Sequence, residues 1–172
     1  MNLLKPLGVW FGISVLVIAL DQWTKVWADH ALAMGREIII FSWFKLQLAY
    51  NTGAAFSFLH DASGWQKYFF AGLAIVVSGV LTFWIVRTVV RREQGRWCEL
   101  LALSLILGGA LGNVYDRITL GHVIDFIVWH YQDHYFPTFN IADSAICTGA
   151  GLLILDMLFL QKKNTDKVVT ES

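Results

Sequence analysis

The sequence predicts an α-helical membrane protein, a single domain over residues 1–172, with four transmembrane helices and a small extracytoplasmic β-sheet segment. Three observations support this fold. Hydrophobic residues make up 56% of the 172 positions and charged residues only 15%, whereas soluble domains carry about a quarter charged residues. Four apolar stretches are long enough to cross a bilayer. Basic residues gather in alternate connections between these stretches.

The four stretches predict spans at about 7–27, 68–90, 100–115 and 141–160. Ser63 and Gln66, just before the second stretch, have the spacing of a capping box. The first stretch has an alternative reading as a cleavable signal peptide, because Ala31–Ala33 fits a cleavage motif. A retained helix is favoured, since charged and bulky residues lie between the apolar core and that motif.

The distribution of Lys and Arg predicts the orientation. Basic residues stand before the first span, in the second connection and after the fourth span, at Lys5, Arg87, Arg91, Arg92, Arg96, Lys162, Lys163 and Lys167. Segment 118–139 has none. The positive-inside rule therefore places both termini in the cytoplasm, and segments 28–67 and 118–139 outside it.

The first outer segment contains two short β-rich runs. Ile38–Phe41 and Phe44–Tyr50 predict strands, and Asn51-Thr52-Gly53 predicts a turn. We expect a small sheet at the outer membrane surface, with its apolar residues against lipid or substrate.

Polar residues are expensive inside a membrane span and are treated there as a site hypothesis. Most of those in and beside the spans fall at one depth, near the outer face: Asp21, Lys25, Asn113, Asp116, Arg117, Asp125, Asn140 and Asp143. Some have structural explanations. Asp21 and Lys25 are four apart, as in a helical ion pair, and Arg117 is expected to pair with Asp116. The spacing Gly108-x-x-x-Gly112 is typical of helix packing.

Asp125 and Asp143 suggest the chemistry of the site. Asp125 stands in an apolar run without a local basic partner, and Asp143 follows Asn140 as the third residue of the predicted fourth helix, where an acid is favoured. If the connection that carries Asp125 folds back over the mouth of the bundle, the two acids would lie close together and share one proton, which supplies a base and an acid for hydrolysis. We expect Asp125 to be the more protonated member, since its surroundings are apolar, and Asp143 the more ionised one.

Other candidate sites are weaker. His122, His130 and His134 are spaced across a loop and are interpreted as interfacial residues rather than metal ligands. Cys98 and Cys147 are interpreted as small buried hydrophobic residues. The zero net charge does not suggest a nucleic-acid partner.

Five blocks together resemble the lipoprotein signal peptidase, or signal peptidase II, family. In order they are Asp21–Lys25, Asn51–Phe56, Gly108–Arg117, Gly121–Phe126 and Phe139–Ser144. The resemblance covers nearly the whole chain.

The resemblance implies an aspartic endopeptidase of the bacterial inner membrane that removes signal peptides from diacylglyceryl-modified prolipoproteins. Cleavage would lie on the amino side of the lipid-bearing Cys, without metal or cofactor, and would be inhibited by globomycin. Asp125 and Asp143 match the family's catalytic dyad. Substrate-binding or supporting roles fall to Asn51, Asn113, Arg117, Asn140, Asp21, Lys25 and Asp116.

Two other classes of protein compete with a peptidase. A proton or ion carrier would use Asp21, Asp125 and Asp143 as a relay, but only Asp156 is a comparable acid in the cytoplasmic half of a span. A Mg²⁺-dependent lipid-headgroup transferase would need carboxylates at close helical spacing, whereas Asp116, Asp125 and Asp143 stand on separate elements.

Overall fold

The computed structural model describes residues 3–53, 66–92 and 95–160. Its elements follow the chain in the order α1 (Leu4–Ala31), β1 (Glu37–Phe41), β2 (Phe44–Asn51), α2 (Gln66–Arg91), α3 (Trp97–Thr119), β3 (Val123–Tyr131), β4 (His134–Tyr135) and α4 (Ile141–Leu155). A short 3₁₀ turn follows α1, and a π-helical turn, Asp156–Leu160, extends α4. The predicted fold class, four helices with a small sheet, is confirmed.

All four helices are long and apolar enough to cross a membrane, α4 when the π-helical turn that extends it is included. α1 has 28 residues and is therefore about 42 Å long, more than a bilayer's hydrocarbon core requires. Each of the first three helices extends beyond its predicted span, because interfacial polar residues at the ends also take part in the helix. The Ser63 capping prediction lies outside the described residues, as do Lys162, Lys163 and Lys167.

α3 is the central helix of the bundle. It is buried along most of its length and contacts α1, α2 and α4, while the other three helices expose broad apolar faces. Gly108 permits the close approach of α1, since a Cβ atom there would lie 2.8 Å from the carbonyl oxygen of Ser14. The small-residue motif therefore packs helices, as its spacing indicated.

The sheet has four antiparallel strands in the order β1-β2-β3-β4. β1 and β2 match the two strands expected from the first outer segment. The third strand was missed by sequence reasoning, which treated the segment around Asp125 as a connection. Residues 123–126 are buried on both faces, so this strand lacks the polar–apolar alternation that identifies a half-buried strand. β3 thus brings residues of the second outer segment against β2 and against the ends of the helices.

Candidate active site

Asp125 lies on β3, with 2% of its surface exposed. The β2–β3 register pairs Ala49 with Asp125 and Asn51 with Val123, which brings the Asn51 side chain beside the carboxylate. The Nδ2 atom of Asn51 donates to Asp125 Oδ2 at 3.1 Å, and Nδ2 of Asn140 donates to Asp125 Oδ1 at 2.7 Å. The partners that were not evident near Asp125 in sequence therefore come from β2 and from the start of α4.

Asp143 lies in the first turn of α4, as predicted. Asn140 is the N-cap, and the two residues form a reciprocal capping box. Asp143 N donates to Asn140 Oδ1 at 2.9 Å, and Asn140 N donates to Asp143 Oδ2 at 3.3 Å. The remaining carboxylate oxygen, Oδ1, accepts from Asn113 Nδ2 at 2.8 Å. Asp143 is thus fixed by its own helix and by α3.

Asn140 links the two carboxylates. Its side-chain oxygen accepts from Asp143 N, so its Nδ2 group points to Asp125. Asn113 is fixed in the same manner, because its Oδ1 accepts from Lys25 Nζ at 3.0 Å and from Asn140 Nδ2 at 3.2 Å. The hydrogen-bond network therefore determines which atom of each amide is nitrogen, and each amide donates into one of the acids.

An ion network lies on the other side of Asn113. Lys25 Nζ contacts Asp21 Oδ2 at 2.7 Å and Asp116 Oδ2 at 2.8 Å, and all three side chains are at most 1% exposed. The predicted helical pair of Asp21 and Lys25 is thus extended by a second carboxylate. Asp21 Oδ1 also accepts from Ala142 N at 2.9 Å, one of the amides that a helix N-terminus leaves without an intrahelical partner.

The second carboxylate of this network connects it to the sheet. Asp116 accepts from the backbone N–H of Ile124 at 3.3 Å and from Gln22 Nε2 at 2.7 Å. The network of Asp21, Lys25 and Asp116 therefore ties α1, α3, α4 and β3 together beneath the two acids. Gln22 was not singled out in the sequence, although it lies in the first of the five blocks; its position next to Asp21 was the available signal.

The expected ion pair between Arg117 and Asp116 is wrong. Arg117 Nη1 donates to the carbonyl oxygen of Asn113 at 3.3 Å, and Nη2 donates to that of Gly53 at 3.4 Å. Consecutive residues on a helix point about 100° apart, so Asp116 faces Lys25 while Arg117 reaches across to the chain after β2. Its guanidinium nevertheless interacts electrostatically with Asp143, with Asp125 and, more weakly, with Asp116.

The surroundings of Asp125 favour its neutral form. Burial, followed by the charge of Asp143, raises the pKa of Asp125 from 3.8 to about 7, against the opposing effects of hydrogen bonds from Asn51 and Asn140 and of the Lys25 charge. This direction agrees with the expectation drawn from the apolar run around Asp125. Near neutral pH both the protonated and the ionised form of Asp125 are therefore populated.

The acids of the site are paired with amide groups and with one ammonium group. The described ranges, 3–53, 66–92 and 95–160, contain no group of three His, Cys, Asp or Glu residues arranged to hold a metal ion. Asp21 and Asp116 are neutralised by an ammonium group instead.

Comparisons with known proteins identify relatives of the chain. The chain is 54% identical over 159 residues to the lipoprotein signal peptidase of Teredinibacter turnerae, with 92% of each chain covered. It is 53% identical over 161 residues to that of Pseudomonas putida, covering 92% of this chain and 91% of the relative.

Solved structures and a family model extend the comparison. A bacterial membrane enzyme solved by the in meso method at 2.3 Å resolution is 32% identical, with a TM-score of 0.73 over 88% of each chain. A second such enzyme, at 1.9 Å resolution, is 29% identical, with a TM-score of 0.74 over 88% of this chain and 94% of its own. The family model described as signal peptidase (SPase) II matches residues 13–159. The chain therefore belongs to the signal peptidase II family and is a membrane-spanning peptidase of the aspartic class.

Proposed function

We propose that the chain removes signal peptides from diacylglyceryl-modified prolipoproteins, cleaving on the amino side of the lipidated Cys with water activated by Asp125 and Asp143. The observation that carries the proposal is the link through Asn140, which donates to both acids from its side chain and its backbone. One residue thus holds the two carboxyl groups in a fixed relation, and the pKa of Asp125 lies near 7.

The chemistry needs one proton shared by the pair. The Asp143 carboxylate takes a proton from water, whose oxygen attacks the scissile carbonyl carbon, while Asp125 gives its proton to the carbonyl oxygen. When the tetrahedral gem-diol intermediate collapses, the C–N bond breaks, Asp143 gives its proton to the leaving nitrogen, and Asp125 takes back a hydroxyl proton from the intermediate as the C=O bond re-forms. One proton then remains on the pair, which is ready for the next substrate.

The other polar residues have supporting roles in this proposal. Asn51, Asn113 and Asn140 orient the carboxylates through the hydrogen bonds described above. Arg117 offers a cation beside the chain at Gly53, where substrate carbonyl groups would approach. The network of Asp21, Lys25 and Asp116 supports the site from below.

The location follows from the same proposal. The site lies where α1, α3 and α4 meet the sheet, at one end of the bundle. The positive-inside rule assigns this end to the extracytoplasmic face of the bacterial inner membrane and both termini to the cytoplasm. A signal helix and acyl chains would then contact the apolar helix faces. Inhibition by globomycin is expected of an enzyme with this site.

A proton carrier is disfavoured by the positions of the buried charges. Within the described ranges, the fully buried acids occur in the site and at the opposite end of the bundle, where Glu99 pairs with Arg96 and Asp156 lies near Cys98. The expectation that only Asp156 is such an acid is wrong, because α3 begins at Trp97 rather than at about residue 100 and so includes Glu99. Between these ends the buried polar residues of the described ranges are hydroxyl-bearing, such as Ser14 and Ser104. That part of the described chain therefore lacks the buried ionisable groups that a charge relay needs.

The test is cleavage of a lipid-modified prolipoprotein by the purified chain in detergent. Asp125→Asn and Asp143→Asn should each lower the rate by about 10²–10⁴-fold, since an amide is neither base nor acid. Asp133→Asn, on the exposed turn between β3 and β4, is the matched control and should cleave normally. EDTA should leave the wild-type rate unchanged. Cleavage near the wild-type rate by either dyad variant would refute the assignment.

A further inference from the structure

The end of β2 that carries Asn51 has little support from the sheet. β1 pairs with β2 only as far as Gln47, and a bulge interrupts the β2–β3 register between Leu46 and Ala49. Over the last four residues β2 therefore has β3 as its only strand neighbour in the described structure. Since Asn51 must meet Asp125 within 3.1 Å, this strand end needs a further attachment.

Tyr50 supplies that attachment. Its hydroxyl donates to Asp29 Oδ1, in the last turn of α1, at 2.6 Å. Its ring meets the edge of the His122 ring, with centroids 4.6 Å apart. His122 immediately precedes β3, so the three residues join the end of α1, the end of β2 and the start of β3. We call Asp29, Tyr50 and His122 the strand anchor.

The side-chain amide of Asn51, next to the strand anchor, is oriented by a hydrogen bond to its oxygen. Asn51 Oδ1 accepts from Gly53 N at 3.0 Å, which leaves Nδ2 to donate to Asp125. Displacing the backbone at Tyr50 would displace this amide directly, because the two residues are consecutive. The phenol also stays protonated over the assay range, since the hydrogen bond to Asp29 raises the pKa of Tyr50.

We propose that Tyr50, held by Asp29 and His122, is a positioning residue that sets Asn51 against Asp125. The inference rests on the proposed function, because it assumes that Asp125 carries the reaction's proton. It predicts a specific effect of losing the Tyr50 hydroxyl: a weaker hydrogen bond from Asn51 to Asp125. That bond favours the ionised form of Asp125 and so opposes its proton affinity.

The groups facing Asp125 determine the direction of the effect. They are Asn51 from β2, Lys25 from α1, Arg117 from α3, and Asn140 and Asp143 from α4 and its cap. Only the contribution of Asn51 changes when the Tyr50 hydroxyl is removed. The alkaline limb of the pH–rate profile, where Asp125 loses its proton, should then move to higher pH.

The experiment compares Tyr50→Phe with Tyr131→Phe, a matched loss of a hydroxyl from an exposed tyrosine at the far end of β3. Tyr50→Phe keeps the ring that contacts His122. We expect the kcat of Tyr50→Phe to fall about threefold to tenfold with little change in KM. The midpoint of the alkaline limb should move to higher pH by about half a unit. Tyr131→Phe should match the wild type in both respects.

Variants of Asp29 provide a rescue test. Asp29→Asn retains an oxygen that accepts from the Tyr50 hydroxyl and should behave like the wild type, whereas Asp29→Ala should reproduce the effect of Tyr50→Phe. If Tyr50→Phe lowers the rate equally at every pH, or if Asp29→Asn is as impaired as Asp29→Ala, the positioning role is refuted.

An infrared measurement separates this inference from the proposed function. The C=O band of protonated Asp125, identified by its loss in Asp125→Asn, should titrate at higher pH in Tyr50→Phe than in the wild type. This readout does not depend on cleavage. An unchanged titration would overturn the strand-anchor role even if the dyad is correct. A shifted titration together with an active Asp125→Asn enzyme would refute the proposed function and leave the anchor in place.

Discussion

Replacing Asp125 with asparagine should make the protein more stable at alkaline pH while abolishing cleavage. In the folded protein the pKa of Asp125 is raised from 3.8 to about 7. The acid therefore binds its proton more tightly in the folded protein than in the unfolded chain. As a result, the free energy of unfolding falls as the pH rises from about 4 to about 7, and this loss is complete above pH 7.

The size of the effect follows from the change in the pKa of Asp125. At about 1.4 kcal/mol per pH unit, the rise in this pKa from 3.8 to about 7 lowers the free energy of unfolding by about 4 kcal/mol when the carboxylate is ionised. Asparagine avoids this cost but faces two donors, Asn51 Nδ2 and Asn140 Nδ2, with only one acceptor oxygen. The unmatched donor costs about 1–3 kcal/mol. The net gain at pH 8 is then about 1–3 kcal/mol.

The assay is thermal unfolding in detergent, followed by the fluorescence of the eight tryptophans. At pH 8, Asp125→Asn should unfold about 2–12 °C above the wild type. At pH 4.5 the order should reverse or the difference vanish, because the wild-type carboxyl is then already protonated in the folded protein. Asp133→Asn, exposed on its turn, should follow the wild type throughout. A difference between Asp125→Asn and the wild type that is independent of pH would refute the reasoning.

Two further substitutions test the ion network. Lys25→Met leaves two buried carboxylates without their cation and should lower the free energy of unfolding, measured by chemical denaturation, by about 3–5 kcal/mol. Lys45→Met, which breaks a partly exposed pair, should lower it by less than about 1 kcal/mol, and equal losses would contradict the role of burial. Gly112→Ala places a Cβ atom 2.7 Å from Asp21 Oδ2 and should reduce the cleavage rate at least about tenfold. Gly79→Ala, with open space around it, should cleave normally. Normal cleavage by Gly112→Ala would show that the Asp21 carboxylate moves aside without consequence.

Local sequence signals predicted the helical half of the site well. The capping box of Asn140 and Asp143 and the ion pair of Asp21 and Lys25 both depend on residues three or four apart, so the helical period determines their contacts. The wrong pairing of Arg117 shows the limit of such reasoning. Two consecutive residues at the same helix end can still point their side chains in different directions.

The sheet half of the site depends on contacts that local patterns do not encode. Asn51 and Asp125 are 74 residues apart and meet only through the β2–β3 register. β3 was missed because burial on both faces removes its alternation. Tyr50 and Asp29 were missed because an exposed tyrosine and an acid at a helix end are individually unremarkable. Their significance arises from a strand end that lacks its second neighbour.

The two proposed catalytic acids differ in the groups that surround their carboxyl groups. The ammonium of Lys25 contacts Asn113 Oδ1 and polarises this amide, which makes its Nδ2 group a stronger donor to Asp143. The N-terminus of α4 adds a further preference for negative charge at that carboxylate. Asp125 receives amide donors too, but burial outweighs them and its pKa rises to about 7. In the proposed mechanism, Asp143, which accepts from an amide and from the start of its own helix, would act as the base, and Asp125, whose pKa is about 7, would act as the acid that activation of water requires.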